Sequence, residues 1–397
     1  MAVLFGVVFV DLLGLGILMP LIPFYGVRLG ISTGWLTFVI SLHALFQFVG
    51  AALLGRWSDR VGRRPVLMLS MAGHALAYGL LALSGSVGVL VLSRILSGFT
   101  SGNLSAAYAY VSDIAPAKDR TRSLASISAA FALGLTIGPL IGGVLAGPGD
   151  PASANLVAPA VAATALSTIS LISIYLWLPE SRTDARRSRQ SAVPSSARAS
   201  VAPFVWWSER WVQSILILAW WVIAFSAMRE TLFALWLFDK FTADSRDIGL
   251  LIGFHGLLIA IMQLQVTGRL VARWGESRLV GVAILGFAAS WMGLAWSDSI
   301  MNVWGAMAVS AFATALFMTS LQSLLAERAP ANTRGMLLGT LQSSTSLARF
   351  MGGALSGLIY TGWGLDTPFL LAALAMLPAL ALVWVLRGHM LAVQVES

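Results

Sequence analysis

Long apolar runs separated by short polar breaks dominate this chain. From Met1 to Tyr25 the only charged residue is Asp11, and similar runs follow at about 35–55, 66–84, 88–111, 124–146, 157–178, 211–238, 248–267, 279–297, 301–325, 335–359 and 367–387. A helix that crosses a membrane needs about 20 predominantly apolar residues, which is the scale of each run. No period of two marks the runs, and small residues recur in them at helical spacing, so the pattern predicts helices and not barrel strands. The expected fold is an all-α integral membrane protein of twelve transmembrane helices, called spans 1 to 12 in chain order.

The longest polar interruption is 179–208, rich in Arg, Ser, Ala and Pro, the composition of a linker. It divides the chain into an N-terminal six-helix bundle at 1–180, a cytoplasmic linker at 181–208 and a C-terminal six-helix bundle at 209–397. The two halves repeat each other. After span 2 the chain reads "GRWSDRVGRR" (55–64), and after span 8 it reads "GRLVARWGES" (268–277). Gly55, Arg56, Arg60 and Gly62 fall on Gly268, Arg269, Arg273 and Gly275. Two spans later, "DIAPAKDR" (113–120) falls on "ERAPANTR" (327–334), placing Asp113 on Glu327. A parallel repeat of two six-helix halves is a carrier architecture, with substrate bound near the midplane and exposed to alternate sides as the halves rock.

Composition agrees with this pattern. The 397 residues are 58% hydrophobic and 11% charged, less than half the charge of an average soluble domain. The net charge of +8 comes from loops and does not point to nucleic acid. With a cytoplasmic N-terminus, eighteen Lys and Arg residues fall in cytoplasmic loops and the C-terminus, against Arg28, Lys240 and Arg246 outside. That bias orients both termini inward and predicts a multi-pass protein of the inner, cytoplasmic membrane. The first run lacks a basic leader and contains Asp11, so it is expected to be a retained span rather than a signal peptide. There is no Cys and there are four scattered His, so no Cys-ligated or clustered metal site is expected. No Gly-Lys-Ser/Thr phosphate loop occurs, so energy should come from an ion gradient rather than from ATP.

"GRWSDRVGRRP" resembles the signature loop between spans 2 and 3 of the major facilitator superfamily. "GLTIGPLIGG" (134–143) in span 5 and "SRILSGFTSG" (93–102) in span 4 resemble signatures of its drug/proton antiporters. "DLLGLGILMPLIP" (11–23), the stretch 253–276 around span 8 and "LQSLLAERAP" (321–330) are most similar to the bacterial tetracycline/proton antiporters. The resemblance implies the major facilitator fold and proton-coupled export of amphipathic small molecules by alternating access. It also implies that Asp59 braces the start of span 11 when the cytoplasmic side closes. Two stretches depart from the antiporters. Arg229 and Glu230 stand where uncharged polar residues are usual, and Arg349 stands where an apolar or small residue is usual. They raise a carrier of organic anions or zwitterions as an alternative.

An unanswered charge at the bilayer centre costs roughly 2.5–3.5 kcal/mol on insertion scales, so intramembrane charges should face the bundle interior. Asp11 is expected to titrate as a proton-coupling carboxylate, the other reading being a structural carboxylate satisfied by neighbours. Arg94 either tunes that carboxylate, with Asp11 as its partner, or forms a fixed structural pair. His255 matches a histidine of the resembled family and suits a proton relay; His43 and His74 are expected to be hydrogen-bonded core residues. Glu230 either titrates beside Arg229 and Arg349 or forms one inter-helix salt bridge with Arg349.

Gln47, Asn103 and Gln322 either orient a ligand or bridge helices. Trp236 either stacks on a ligand or sits in the interfacial belt. The gating set is Gly55, Asp59, Arg60, Gly62, Arg63, Arg64 and Asp113 around the signature loop, with Arg273 and Glu327 as repeat mates. Arg60 is expected to pair with Asp113, and Arg273 with Glu327. Gly134, Gly138, Gly142 and Gly143 permit close packing of span 5, and Pro139 bends it. No cofactor is expected beyond the proton as coupling ion. The expected partners are a small-molecule substrate and the lipid bilayer, with the chain acting as a monomer. A channel is the alternative from another class; no constellation for an enzyme emerges.

Overall fold

A computed structural model describes residues 2–83, 85–114, 120–151, 153–181, 209–328 and 334–384; the expected linker lies almost wholly outside them. Among the described residues, ten helices are long and apolar enough to cross a membrane. Spans 4 and 11 are helical as well. Span 11 is continuous over Arg334–Trp363, whereas span 4 is broken into Val87–Thr100 and Leu104–Ile114 by a 3-10 turn at Ser101–Asn103. Span 1 is likewise two helices, Ala2–Leu18 and Ile22–Arg28. Proline lacks a backbone N–H and clashes with the preceding turn. The break accordingly falls at Pro20, and Pro23 occupies the tolerated first turn of the second piece.

The signature segment is not an extended loop. Span 2 runs as one helix over Thr33–Val61 and span 3 begins at Arg63. The only residue between them is Gly62, at φ 116°, a conformation that side chains with a Cβ rarely adopt. Its repeat mate Gly275, at φ 76°, joins the helices Gly268–Trp274 and Glu276–Ala295 in the same way. Charge had made both stretches read as loops; they are helix ends that project past the apolar zone. Span 8 contains one further irregularity, a π-helical turn at Met262–Thr267.

Packing obeys the repeat. Span 1 packs on spans 5 and 6, and span 3 on spans 4 and 6; span 7 packs on spans 11 and 12, and span 9 on spans 10 and 12. The two halves meet mainly through span 2 against span 11 and span 5 against span 8. Replacing each member of the first pair by its mate in the other half, 2 by 8 and 11 by 5, gives the second, so these are one contact used twice. Small residues make it close. At the end of the molecule remote from the linker, a Cβ on Gly143 would lie 2.8 Å from the Ser245 carbonyl oxygen, and one on Gly249 would lie 2.6 Å from that of Pro139. On the other seam, Gly357 meets Thr33 and Gly34. Phe24 and Phe238, 6.5 Å apart, add an edge contact between spans 1 and 7. The halves are therefore sealed against each other at this far end.

Gly249→Leu should force this seal apart. Overpacking a tight contact costs about 1–3 kcal/mol, so the far end should open roughly tenfold more often. The chain has no Cys, so a single cysteine placed at Ser41, buried on the span 2 side of the other seam, reports directly. Its labelling by an impermeant thiol reagent from the far side should accelerate by about that factor.

Candidate transport site between the halves

In the N-terminal half the polar centre is built around Asp11 and His74. Asp11 lies midway along the first helix of span 1 and is buried. His74 Nδ1 lies 2.6 Å from Asp11 Oδ1. His74 Nε2 faces the carbonyl oxygen of Ser97 at 3.2 Å and Ser101 Oγ at 3.1 Å. Both belong to the stretch where span 4 breaks, so the 3-10 turn supplies polar atoms to a ring from span 3. The ring stacks on Tyr78, with centroids 5.6 Å apart. His43, from span 2, places Nδ1 3.2 Å from Ser97 Oγ.

This arrangement corrects one expectation. Asp11 is met by His74, and Arg94 is not its ion-pair partner. Arg94, 1% exposed, has Ser93 Oγ at 3.4 Å from Nη2, and its Nε has no hydrogen-bond partner. His74 is a buried, hydrogen-bonded core histidine, as expected, and the group it meets is the buried acid. The contact links residues 63 positions apart, and no motif in the sequence marks it.

In the C-terminal half one acid serves two bases. Glu230 Oε2 accepts from Arg349 Nη1 at 2.8 Å, and its other oxygen lies 3.7 Å from Arg229 Nη2. Adjacent residues on a helix point about 100° apart, yet the Arg229 side chain is long enough to return to its neighbour. Arg229 is buried, with Nη1 3.7 Å from Met307 Sδ, its guanidinium 5.9 Å from the Phe233 ring centre, and Nε without a partner. The side chains of Glu230 and Arg349 are more open, 28% and 41% exposed. Arg349 is also in Coulombic reach of His43 in the other half. His255 Nε2 lies 3.3 Å from Ser310 Oγ and within reach of Arg229. The group thus carries surplus positive charge on its most accessible face.

The remaining candidates separate. Gln47 Oε1 accepts from Ser346 Oγ at 3.3 Å, bridging spans 2 and 11. Gln322 is exposed. Asn103 has its side chain outside the described residues. Trp236 neither lines the space between halves nor sits in a belt. It is fully buried among Phe233, Phe241 and Phe369, with Nε1 donating to Asp366 Oδ1 at 2.8 Å. Lys240 holds the same carboxylate at 2.9 Å. A tryptophan in a wholly apolar helix cannot be assigned to core or cavity from sequence, because only the distant Asp366 decides it.

The signature residues form one network at the linker end. Arg63 reaches Asp59 at 2.7 Å, Ser58 at 3.0 Å and Asp113 at 3.3 Å, so Arg63 is an Asp113 partner that the sequence pattern had not assigned. Asp59 is 65% exposed; the first side chains of span 11, which the resemblance has it brace, lie outside the described residues, as does the side chain of Glu327. Arg60, Arg273 and the helical Gly55 sit at the projecting ends of spans 2 and 8.

Glu180, in the polar interruption after span 6 and singled out by no sequence motif, accepts from the backbone N–H groups of Arg63 and Arg64 at 2.9 and 3.1 Å. It caps the start of span 3, where the helix dipole is positive. Arg64 donates to the Tyr175 carbonyl at 2.6 Å, and Ser181 to Asp113 at 3.3 Å. The span 5 motif divides by face: Gly134, Gly138 and Gly142 lie against the backbone of span 1, Gly143 meets span 8, and Pro139 touches both, its ring near Gly16 and its carbonyl near Gly249.

The Major Facilitator Superfamily model matches residues 4–238 and 230–394. Over 380 residues the chain is 30% identical to the tetracycline resistance protein, class C, of Escherichia coli, covering 90% of this chain and 89% of that one. It is 27% identical over 386 residues to multidrug resistance protein 2 of Bacillus subtilis (strain 168), covering 95% and 92%. Among solved structures, that of the human organic anion transporter MFSD10 (TETRAN) superposes with a TM-score of 0.69 at 24% identity, covering 96% of this chain and 98% of that one. This last likeness is one of fold.

Removing the cap at the start of span 3 has a measurable cost. Glu180→Ala leaves two backbone donors without their carboxylate, and loss of such a cap costs about 0.5–2 kcal/mol. The apparent midpoint of thermal unfolding in detergent should fall by several degrees, and Glu180→Gln, which keeps an acceptor, should recover part of the loss.

Proposed function

The chain belongs to the major facilitator superfamily, and on that premise we propose that it is a proton-coupled exporter of amphipathic small molecules. As a member of this family it is a multi-pass membrane transporter. The reading that goes further rests above all on one observation: a buried carboxylate of span 1 in direct contact with an imidazole of span 3, at 2.6 Å. A carboxylate and an imidazole can exchange a proton with little rearrangement, and such a group inside a bundle is a default proton site. The names of the relatives, tetracycline and multidrug resistance proteins, support an amphipathic drug-like substrate and outward movement.

In this mechanism a proton enters the N-terminal site from outside and leaves to the cytoplasm, while substrate travels the other way between the halves. The two seams, spans 2 and 11 and spans 5 and 8, are the surfaces over which the halves rock. The Lys and Arg bias supports a cytoplasmic linker end, and the sealed far end then supports an inward-facing arrangement in the cytoplasmic membrane. The Arg63–Asp59–Asp113 network then sits where the cytoplasmic side would close, and Asp59, largely exposed here, is available to engage span 11 in the opposite state.

A second reading is favoured by the C-terminal half. Two guanidinium groups share the single carboxylate of Glu230, and Arg349 is accessible. An anionic or zwitterionic group on the substrate would answer the surplus charge, whereas a simple cation would be repelled. Glu230 then orients Arg349 and competes with the ligand for it.

Two experiments in proteoliposomes test these readings. Asp11→Asn should reduce transport driven by an imposed pH gradient at least tenfold, while exchange of labelled for unlabelled substrate, which needs no net proton movement, continues. Undiminished gradient-driven transport would remove the coupling role. Arg349→Ala should shift the preference within a panel of tetracyclines and organic anions about tenfold away from the anions; an unchanged panel removes the second reading.

A further inference from the structure

We propose that the proton carried in each cycle resides on His74, with Asp11 as the fixed carboxylate that stabilises it. This deepens the coupling reading above and rests on it. The argument is a count of donors and acceptors. Nδ1 faces a carboxylate, which accepts. Nε2 faces the Ser97 carbonyl, which can only accept. Its other neighbour, Ser101 Oγ, lies 2.8 Å from that same carbonyl; with its hydroxyl proton turned there it accepts from His74, and with the proton turned to the ring it donates. A neutral imidazole has one donor and one acceptor nitrogen, and its bare nitrogen is satisfied only when the Ser101 hydroxyl turns from the carbonyl to it. An imidazolium has two donors and meets an acceptor at each.

Taking up a proton converts the neutral ring to the imidazolium, while Asp11 stays ionised throughout. On release, one nitrogen keeps its hydrogen for Asp11. The Ser101 hydroxyl then turns from the Ser97 carbonyl to donate to the vacated Nε2. No other group needs to move, because the hydroxyl rotor absorbs the change. Ser97, in the last turn of Val87–Thr100, and Ser101, in the 3-10 turn that follows, bring a carbonyl and a hydroxyl to the same ring edge.

The charged and titratable groups around the ring are few. Asp11 faces it from span 1, and Tyr78 stacks on it from its own helix. Arg94 on span 4 and His43 on span 2 lie in Coulombic reach of one another, and His43 of His74; Tyr78 lies within reach of Asp11 and Arg94. Span 6, packed on the other side, carries no charged residue over Val157–Trp177. Asp113 and Glu180 are engaged at the start of span 3 by Arg63 and Arg64. With His74 protonated, the cluster of Asp11, His74 and Arg94 holds one net positive charge; with His74 neutral, Arg94 balances Asp11.

The test is His74→Asn, whose amide N–H can still donate to Asp11 but cannot titrate. Transport driven by a pH gradient should fall at least tenfold, and the dependence of its rate on pH should flatten. A purely structural role would lower the rate at every pH and leave the profile unchanged, which overturns the proposal. The Asp11→Asn variant separates this failure from that of the underlying reading. If both variants keep normal gradient-driven transport, coupling itself is elsewhere; if only His74→Asn keeps it, Asp11 titrates alone. Because a core substitution can impair folding, nitrogen-15 spectra of histidine-labelled full-length protein in lipid nanodiscs provide an independent decision. The chain has four histidines, so removing the other three in turn assigns the signal. An imidazolium at acidic pH that becomes neutral on raising the pH supports the proposal, and a ring neutral throughout overturns it.

Discussion

Hydrocarbon has no water to offer a charged side chain, so a charge placed in mid-membrane must be answered from within the bundle. That constraint organises this molecule. Asp11, Arg94, Arg229, Glu230 and Arg349 all lie within the spans, and each half answers its own set differently. In the N-terminal half the acid is closed into contact with an imidazole. In the C-terminal half a single acid is divided between two guanidinium groups, one of them open. A tight, buried pair suits a small hydrated ion that must lose its water, and an open, under-neutralised pair suits a larger organic ligand. The same requirement of matched charge therefore yields two chemically distinct sites in two halves of common architecture.

The repeat supplies the means of linking them. The same pair of helix seams occurs twice across the interface, and each half has a hairpin whose two long helices are joined by one glycine. Arg63 and His74 lie on one uninterrupted helix. Glu180 and Arg63 at the linker end are thus mechanically continuous with the ring that faces Asp11.

Much of this was legible in the sequence. Apolar run length gave the spans, the repeated Gly-Arg and acid-Pro-Arg patterns gave the halves, and a lone carboxylate among apolar residues marked span 1. The Glu230–Arg349 pair was among the readings that the residues allowed. What escaped was non-local or depended on backbone irregularity. Nothing near His74 in the chain announces Asp11, and Trp236 is assigned to the core only by Asp366, 130 positions away. The 3-10 turn at Ser101–Asn103 has no proline to betray it, whereas the break in span 1 could have been read from Pro20 and Pro23. The signature segment misled in the opposite sense: its charges suggest a loop, but charge excludes a segment from hydrocarbon without excluding it from a helix.

The surplus cation in the C-terminal half has an electrical consequence. A living membrane sustains a voltage, and carrying one elementary charge through all of it changes the energy by roughly 2.3 kcal/mol per 100 mV. In the proposed cycle, two guanidinium groups against one carboxylate, set in a half that tilts, would traverse some fraction of that field with every turnover. The transition between inward- and outward-facing forms would then be sensitive to potential, and an organic anion seated on Arg349 would cancel that sensitivity for the loaded carrier while leaving it in the empty one.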